Sequence, residues 1–592
     1  MQSQSSPSNS SIKEFLRLTV FTLLCFLALT YNLSEVPPYH TDENFYVTST
    51  RNMVASGDYI TPVYHEKKRF AKPILFYWMV AVSYKIFGVD LFSARLVSSF
   101  FASLCIPIVY ILARRLFNYN VAIISALLLP GCYLHFQIAR WAITDMAFNF
   151  FILTTFYFFI RGFQDLSNKK IFYYSSYICM GIGFMIKGPI AIIIPALVIG
   201  TFLISTRNWQ ELAQLQMRYG FVILALIILP WFFTMLSIHG DEFKSHILGA
   251  ELHDRIVHDT PFSLYYFGVI FRYYLPWSFF FLTALTVKFG PAFKTLLSSR
   301  QTHSNLLVSK KFKFWYSNIK LKDNQSFLFS FIWVTWPLIL FTLFRIEHSR
   351  YMLPATVPIV MITANFLSQL IQSPENFQKK IFKVPFYLSL VFYILIITLS
   401  WAGIFFFLPF TQPPLGFLIL LVISVFVLFF LILSYKSKKY FQTIITLSIM
   451  QIIILTSLSG NSLSFFNQYP MKKFSNLILS ETYNGKSIGI YQLGNHRARV
   501  GVMTGLPSIY LNNPEELKRF IETRNYAYII MRQSDWEKNF RSLPLSITAT
   551  DFGWKKESIS KRDVELLLRD GLKYHAQKYS ESYVLLKTNS YD

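Results

Sequence analysis

The sequence predicts an α-helical polytopic membrane protein with about thirteen transmembrane helices and a small α/β domain at the C-terminal end. Hydrophobic residues make up 53% of the chain and charged residues 15%, against about 25% charged residues in a soluble globular domain. With 61 Phe, 35 Tyr and 11 Trp, this composition excludes an ordinary soluble surface. It also excludes a disordered chain, which would need far fewer apolar residues.

The net charge of +25 comes from 56 Lys and Arg against 31 Asp and Glu, a balance that can indicate nucleic-acid binding. The apolar runs between the basic clusters are long enough to span a membrane, so we expect no nucleic-acid partner. All four cysteines lie in apolar segments, which indicates packing and excludes a disulfide scaffold. They are Cys25, Cys105, Cys132 and Cys179.

The membrane region is predicted over residues 15–458, after a disordered cytoplasmic tail at 1–14. The first span, 18–33, follows Lys13 and Arg17 without a small-residue cleavage site, which indicates an uncleaved start with the N-terminus inside. The stretch 74–87 is short and contains Lys85, so we interpret it as interfacial or re-entrant. The remaining spans are predicted near 95–112, 120–138, 146–162, 171–186, 189–206, 219–237, 263–287, 326–343, 354–371, 385–408, 415–434 and 440–458.

Basic residues alternate along these spans as expected when Lys and Arg mark the cytoplasmic side. Counting 74–88 as a full span would break this alternation at the first four basic clusters. The predicted inner segments contain Arg114-Arg115, Arg161 with Lys169-Lys170, Arg207 and Arg218, the basic loop 288–325, Lys379-Lys380 with Lys383, and Lys436 with Lys438-Lys439.

Beyond residue 458 the pattern becomes that of a soluble α/β domain, 459–592, on the outer face. Residues 487–493, 526–531 and 583–587 have strand-like composition. A helix is predicted from Asn513-Pro514 to about residue 523, because proline suits the first helical turn. An odd number of spans places this domain opposite the N-terminus, in the periplasm of a bacterial inner-membrane protein.

Ionisable residues at the predicted outer edge of the membrane are the site candidates, because burying charge there is costly. Asp42 and Glu43 open the first outer loop, 34–92, and Tyr46 shares a helical face with Asp42. An acidic pair at a helix start also has a purely structural explanation in the helix dipole. Lys72 precedes Pro73 at the re-entry into the membrane, where a lysine either reaches ordinary headgroups or binds an anionic headgroup specifically.

Other outer segments supply further candidates, and each of them alone suits a structural role. They are Arg140, Asp145, Lys187, His253, Arg255, Arg345, His348, Arg350 and Tyr351. Two carboxylates and several cations on one face favour an acid–base site for a phosphorylated, lipid-embedded substrate.

The order of several short motifs resembles the membrane glycosyltransferases that use polyprenyl-phosphate sugars. This superfamily includes the aminoarabinose transferases that modify lipid A and the protein O-mannosyltransferases. The resemblance covers residues 15–360 and implies a GT-C type fold. The motifs are Asp42-Glu43, Ser56-Gly57-Asp58 with Thr61-Pro62, Lys72-Pro73, Phe87-Gly88, Ala94-Arg95-Leu96, Arg114-Arg115, Asp145, Lys187-Gly188-Pro189 and Arg350-Tyr351-Met352-Leu353-Pro354.

The resemblance implies that Asp42 is the leading catalytic carboxylate and general base, with Asp145 as the second acid. Lys72, Arg255 and Lys187 would bind the donor phosphate. The pocket would be completed by Glu43, Tyr46, Arg140, His253, Arg345 and Tyr351. Attack opposite the leaving phosphate would invert the sugar carbon.

One departure from the superfamily concerns a divalent metal. Relatives that modify lipid A tend to have Glu before the Lys-Pro pair and a His in the motif that ends at Arg255, and those positions could hold an ion. Here they are Ala71 and Ala250. We therefore expect no metal or other cofactor.

The predicted function is transfer of a sugar from a polyprenyl (undecaprenyl) phosphate donor to an envelope acceptor on the periplasmic side, with lipid A as the leading acceptor. The predicted partners are this donor, a lipid or glycan acceptor and membrane lipids, and we expect a monomer. Alternatives are a protein O-mannosyltransferase, a transferase that decorates another glycan, a lipid or sugar transporter or flippase, and a structural or polymerase partner. A transporter would commonly show inverted repeats and midplane charges, neither of which is evident in the sequence.

Overall fold

The computed structural model of the chain is mostly helical. It describes residues 9–38, 41–64, 67–165, 167–247, 249, 263–299, 322–407, 412–459, 469–481, 487–524, 526–554, 569 and 579–588. The first half contains α1 (Asn9–Thr30), α2 (Thr41–Ser56), β1 (Val63–Tyr64), β2 (Lys67–Lys68), α3 (Leu75–Phe87), α4 (Leu91–Leu116), α5 (Tyr119–Leu128), α6 (Tyr133–Ala139), α7 (Thr144–Gln164), α8 (Lys169–Lys187), α9 (Ile190–Thr206), α10 (Trp209–Gln214) and α11 (Met217–His246).

The helical region continues with α12 (Tyr265–Arg272), α13 (Trp277–Ser299), α14 (Lys322–Leu343), α15 (Thr356–Gln372), α16 (Lys380–Phe407), α17 (Leu415–Lys436) and α18 (Tyr440–Ser457). Short 3-10 segments lie at Leu129–Gly131, Ser349–Ala355 and Pro374–Gln378. Helix α1 begins at Asn9, so the described residues 9–14 are helical and do not belong to the disordered tail that we predicted for 1–14.

Eight helices of the described chain are long and apolar enough to cross a membrane, and the number is 10 if each of two bent helix pairs forms one span. The bent pairs are α5 with α6, at 59°, and α12 with α13, at 113°. Each remaining predicted span coincides with α1, α8 or α9. Helix α9 is short, with 17 residues. Helix α1 contains Lys13, Glu14 and Arg17, and α8 has lysines at both ends, so both helices are less uniformly apolar.

These three helices account for the difference from the predicted number of about thirteen spans. Helix α3, which we interpreted as interfacial or re-entrant, has 13 residues, fewer than the roughly 20 that a span needs. The chain is a multi-pass membrane protein. The apolar residues of its helices form one continuous buried cluster that runs from Cys25 to Leu455 and includes Val502 of the C-terminal region.

The C-terminal region contains a five-stranded sheet in the order β4-β3-β5-β7-β6. Its elements are α19 (Pro470–Ser480), β3 (Ser487–Tyr491), α20 (Gly494–Thr504), β4 (Ser508–Leu511), α21 (Pro514–Glu522), β5 (Ala527–Arg532), α22 (Gln533–Asp535), the π-helical Trp536–Phe540, β6 (Leu545–Trp554) and β7 (Ser580–Thr588). Strands β4, β3 and β5 are parallel, and β7 and β6 are antiparallel.

Both faces of the central strand β5 are buried, as is typical of a sheet covered on two sides. Ile529 and Met531 pack into one apolar cluster, whereas Tyr528 and Ile530 pack into the other. The predicted strands near 487, 526 and 583 are present. The predicted helix is present as well, and the Asn513 side chain caps it by accepting a hydrogen bond from the Glu516 amide at 2.8 Å.

Candidate active site

A cavity of about 490 Å³ lies where α2, α7, the α8–α9 junction, α11 and the Ser349–Ala355 segment meet. Much of its wall is apolar, with aromatic side chains such as Phe148 and Trp231. Its polar lining consists of Asp42, Tyr46, Arg69, Lys72, Thr144, Asp145, Lys187, Arg350 and Tyr351. The lining thus combines four cations with two carboxylates, which leaves a formal excess of two positive charges.

Three of the charged groups in this cavity lie at helix ends. Asp42 lies in the first turn of α2 and Asp145 in the first turn of α7, where the helix dipole favours negative charge. Lys187 is the last residue of α8, and Gly188 ends that helix at a φ of 90° that glycine adopts without strain. The dipole at a helix C-terminus favours a cation, so local structure alone explains why these residue types occur at these ends.

The two carboxylates are joined through Arg350. Its Nη2 lies 2.8 Å from Asp42 Oδ2, and its Nε lies 3.9 Å from Asp145 Oδ1. Lys187 Nζ donates a hydrogen bond to the same Asp145 oxygen at 2.6 Å. The structure therefore places both predicted catalytic carboxylates in one alternating network of carboxylates and cations.

The two carboxylates differ in accessibility. The Asp42 side chain is 34% exposed, whereas the Asp145 side chain is 4% exposed. A base that takes a proton from a substrate must reach it, and Asp42 satisfies this condition. Asp145 is positioned to hold Lys187 and Arg350 in place.

Tyrosine side chains complete the cavity as predicted. Tyr46 is buried, with its ring centroid 5.1 Å from those of Phe76 and Tyr77. Burial raises the pKa of Tyr46 well above its ordinary value, so its hydroxyl remains protonated and able to donate a hydrogen bond. The ring of Tyr351 lies 5.0 Å from Lys187 Nζ, close enough for a cation–π contact.

Two charged cavity residues were given no specific role in the sequence prediction. Arg350 was named as an outer-edge candidate and as part of a motif, and the structure shows that it bridges the two carboxylates. Arg69 was not recognised as a site residue, because it ends the run Lys67-Lys68-Arg69, which resembles a solvated basic cluster. Its guanidinium lies 3.8 Å from the Phe45 ring centroid, and its buried Nε has no hydrogen-bond partner among the residues that the structure describes.

Glu43 was predicted as a pocket residue, but it does not line this cavity. Its carboxylate accepts hydrogen bonds from Arg95 Nε at 2.7 Å and Arg95 Nη2 at 2.8 Å, and from the Ala142 amide at 2.9 Å. The Glu43 and Arg95 side chains are 0% and 1% exposed. Successive helical residues point in different directions, so Asp42 faces the cavity and Glu43 joins α2 to α4.

Replacing Glu43 with glutamine is expected to lower the free energy of unfolding by about 3–5 kcal/mol, because it leaves a buried guanidinium without its carboxylate. Unfolding of the purified protein in detergent measures this change. The control is Glu242→Gln, which breaks the exposed Lys68–Glu242 pair and should have little effect. Equal stability of the two variants would refute the structural role of Glu43.

Arg140 and Arg345 also lie outside the cavity lining. Arg140 donates hydrogen bonds to the carbonyl oxygens of Leu29, Tyr31 and Asn32 at 2.7, 2.8 and 3.1 Å. These carbonyls lie at the end of α1 and need partners, so Arg140 has a structural role in place of the predicted pocket role. Arg345 has an exposed side chain. His253, Arg255 and Ala250 lie outside the described residues.

Comparisons with known proteins agree with this fold. Residues 71–234 match the family described as dolichyl-phosphate-mannose-protein mannosyltransferase. The structure is similar to the crystal structure of ArnT from Cupriavidus metallidurans bound to undecaprenyl phosphate, with a TM-score of 0.68 and 17% identity over 96% of this chain and 97% of that one. The chain therefore has a GT-C type fold.

Two curated relatives extend the comparison. An uncharacterised protein of Aquifex aeolicus is 27% identical over 62% of this chain and 66% of its own length. The undecaprenyl phosphate-α-4-amino-4-deoxy-L-arabinose arabinosyl transferase 2 of Pseudomonas fluorescens is 26% identical over 60% of this chain and 59% of its own length. The match thus spans less than two thirds of either relative. The predicted resemblance to the polyprenyl-phosphate-sugar glycosyltransferase superfamily is confirmed.

Proposed function

We propose that this protein is an inverting glycosyltransferase that moves a sugar from polyprenyl (undecaprenyl) phosphate to lipid A at the periplasmic face of the bacterial inner membrane. The observation that carries this proposal is the accessible Asp42 carboxylate, held by Arg350 in a cavity that also contains Lys72 and Lys187. The names of the aminoarabinose transferase relatives and the undecaprenyl phosphate bound to ArnT support this donor and acceptor. The N-terminus would be cytoplasmic and the C-terminal domain periplasmic.

The proposed reaction breaks the bond between the anomeric carbon of the sugar and the donor phosphate oxygen. The acceptor oxygen attacks the opposite face of that carbon and gives its proton to Asp42. Polyprenyl phosphate leaves with the electron pair of the broken bond. Its growing negative charge is stabilised by fixed cations of the cavity lining.

The formal charge of the cavity lining suits a phosphate leaving group. Arg350 and Lys187 contact the two carboxylates, so their charges are largely balanced within the network. The lining as a whole carries a formal excess of two positive charges, which matches a phosphate monoester, and Lys72 and Arg69 are the cations that we assign to it. Arg255 remains a predicted third partner for the phosphate.

We propose that the reaction needs no divalent metal. Among the described residues, no group of three or more His, Cys, Asp or Glu side chains is arranged to hold an ion. Ala71, which lines the cavity beside Lys72, offers no ligand atom. Arg69 and Lys72 supply positive charge at this place, which supports neutralisation of the phosphate by side chains.

Treatment with EDTA is expected to leave the transfer rate unchanged, because the phosphate charge is neutralised by side chains. The rate is measured with purified protein before and after dialysis against chelator. Loss of activity that returns on addition of Zn²⁺ or Mg²⁺ would contradict this prediction.

Lys72→Gln tests the proposed function directly, in vesicles that contain an undecaprenyl-phosphate-linked sugar and lipid A. Wild-type protein is expected to transfer the sugar. The variant should raise the KM for the donor about tenfold or more, since a charge-assisted phosphate contact contributes roughly 1.5–3 kcal/mol. Lys67→Gln is the matched control, because Lys67 is exposed on the same loop. No transfer by wild type would refute the enzyme assignment, and equal KM values would refute the role of Lys72.

A second candidate function is protein O-mannosylation, which the family match of residues 71–234 favours. Dolichyl-phosphate mannose with a Ser/Thr peptide distinguishes it from transfer to lipid A. A mannosylated peptide in the absence of any lipid A product would favour this second function.

A further inference from the structure

The helix that carries Asp42 is attached at its other end to the C-terminal domain. Arg51, on α2, donates hydrogen bonds from Nη1 to the Gly501 carbonyl and from Nη2 to the Val502 carbonyl, both at 2.9 Å. These carbonyls belong to the last turn of α20, which ends at Gly505 in the left-handed region at a φ of 75°. Arg51 thus places a cation at a helix C-terminus, where the helix dipole favours it.

Apolar packing accompanies these hydrogen bonds. Val502 is 1% exposed and lies in the buried cluster of the membrane helices, together with Tyr46, Val47 and Met53 of α2. A second polar contact lies just before α2, where Lys472 of α19 pairs with Glu35 and donates to the Glu35 carbonyl at 3.1 Å. The C-terminal domain therefore contacts the chain on both sides of Asp42.

Helix α2 contributes both to the cavity and to these contacts with the C-terminal domain. Asp42 and Tyr46 occupy the first turns of α2, and Arg51 lies further along it. Phe45, between Asp42 and Tyr46, packs edge-on against Tyr64 with ring centroids 4.8 Å apart and lies beneath the Arg69 guanidinium. A shift or rotation of α2 would therefore move Asp42 relative to Arg350 and relative to Arg69.

We infer that the C-terminal domain is a positioning element of the active site, and that Arg51 is the positioning residue through which it fixes α2. This inference rests on the proposed transferase function. Arg51 contacts no substrate in this account, and its effect is transmitted by the orientation of the helix that carries Asp42. Lys72, Lys187 and Arg69 lie on elements other than α2, so donor binding is expected to depend on Arg51 far less than kcat does.

The test compares Arg51→Met, Arg51→Lys and the control Arg519→Met in the full-length protein. Arg519 is exposed on α21 of the same domain. Arg51→Met is expected to lower kcat about ten- to a hundredfold, because small misplacement of a catalytic group has effects of this order. The KM for the polyprenyl-phosphate donor should stay within about twofold, and Arg51→Lys, which retains the charge, should recover part of kcat.

Hydrogen exchange of peptides from residues 41–56 and 494–504 provides a readout that does not depend on activity. Exchange in both peptides should be faster in Arg51→Met than in wild type and in Arg519→Met. Unchanged exchange, or unchanged kcat in an active enzyme, would overturn the inference. Wild-type protein without transferase activity would overturn the proposed function, whereas the exchange comparison would still decide whether Arg51 holds α2 against α20.

Discussion

Sugar transfer is expected to fall by about 10²–10⁴-fold when Asp42 is replaced with asparagine, which is the range of a general base. The substitution keeps the size of the side chain and removes its capacity to accept a proton. Asp42 is accessible from the cavity and lies 2.8 Å from Arg350, so the loss should appear mainly in kcat. Initial rates with purified protein and saturating donor and acceptor measure it.

Asp241→Asn is the matched control for this variant, because Asp241 is an exposed carboxylate beyond the cavity lining. It should retain the wild-type rate. Equilibrium binding of undecaprenyl phosphate to Asp42→Asn should also be close to that of wild type, since Asp42 is assigned to the acceptor proton and not to the phosphate. An active Asp42→Asn variant would contradict the general-base assignment and would favour a reaction in which the acceptor is already deprotonated.

The second large effect is expected at Arg350, the cation between the two carboxylates. Arg350→Met removes the cation between Asp42 and Asp145, while Lys187 still contacts Asp145. Two nearby carboxylates without a cation between them repel each other. We expect kcat to fall by about 10²-fold, because Asp42 is no longer held in its position.

A double-mutant cycle separates this effect from simple loss of packing. In Arg350→Met combined with Asp145→Asn, the repulsion between the carboxylates is removed, so part of the lost kcat should return. Residues in one ionic network are expected to show coupling of about 0.5–3 kcal/mol. Strict additivity of the two substitutions would show that Arg350 does not act through this pair of carboxylates.

Much of the site was predictable from the sequence because several of its residues lie at helix ends. Asp42, Tyr46, Lys72, Asp145, Lys187 and Tyr351 all line the observed cavity. Their positions beside predicted span ends indicated a common face. The resemblance of the motif order to known transferases added the expected roles, which remain proposals.

The errors have physical causes that a sequence does not display. Glu43 adjoins Asp42, but the helical turn between them directs it to Arg95. Arg140 comes from the same predicted loop as Asp145, yet its guanidinium satisfies carbonyls at the end of α1. Arg69 follows two lysines whose side chains are exposed on β2, and only the path of the loop shows that it reaches the cavity.

Two elements of the C-terminal domain show the same limit of prediction from the sequence. Strand β6 was not predicted, because most of its side chains are exposed or half-buried at the edge of the sheet and it lacks the apolar alternation of a buried strand. Helix α20, which the Arg51 proposal depends on, has a mixed polar sequence with no clear apolar period. Contacts from Arg51 and Val502, distant from each other in the sequence, determine where that helix packs.

The most direct test of the account is the anomeric configuration of the product made by wild-type protein. Protein in vesicles would receive an undecaprenyl-phosphate-linked sugar of known configuration together with lipid A, and NMR and mass spectrometry would identify the product. The account predicts a sugar-modified lipid A with inverted configuration and one polyprenyl phosphate released for each sugar transferred. Retained configuration, a covalent glycosyl-enzyme intermediate, or no lipid A product would contradict it.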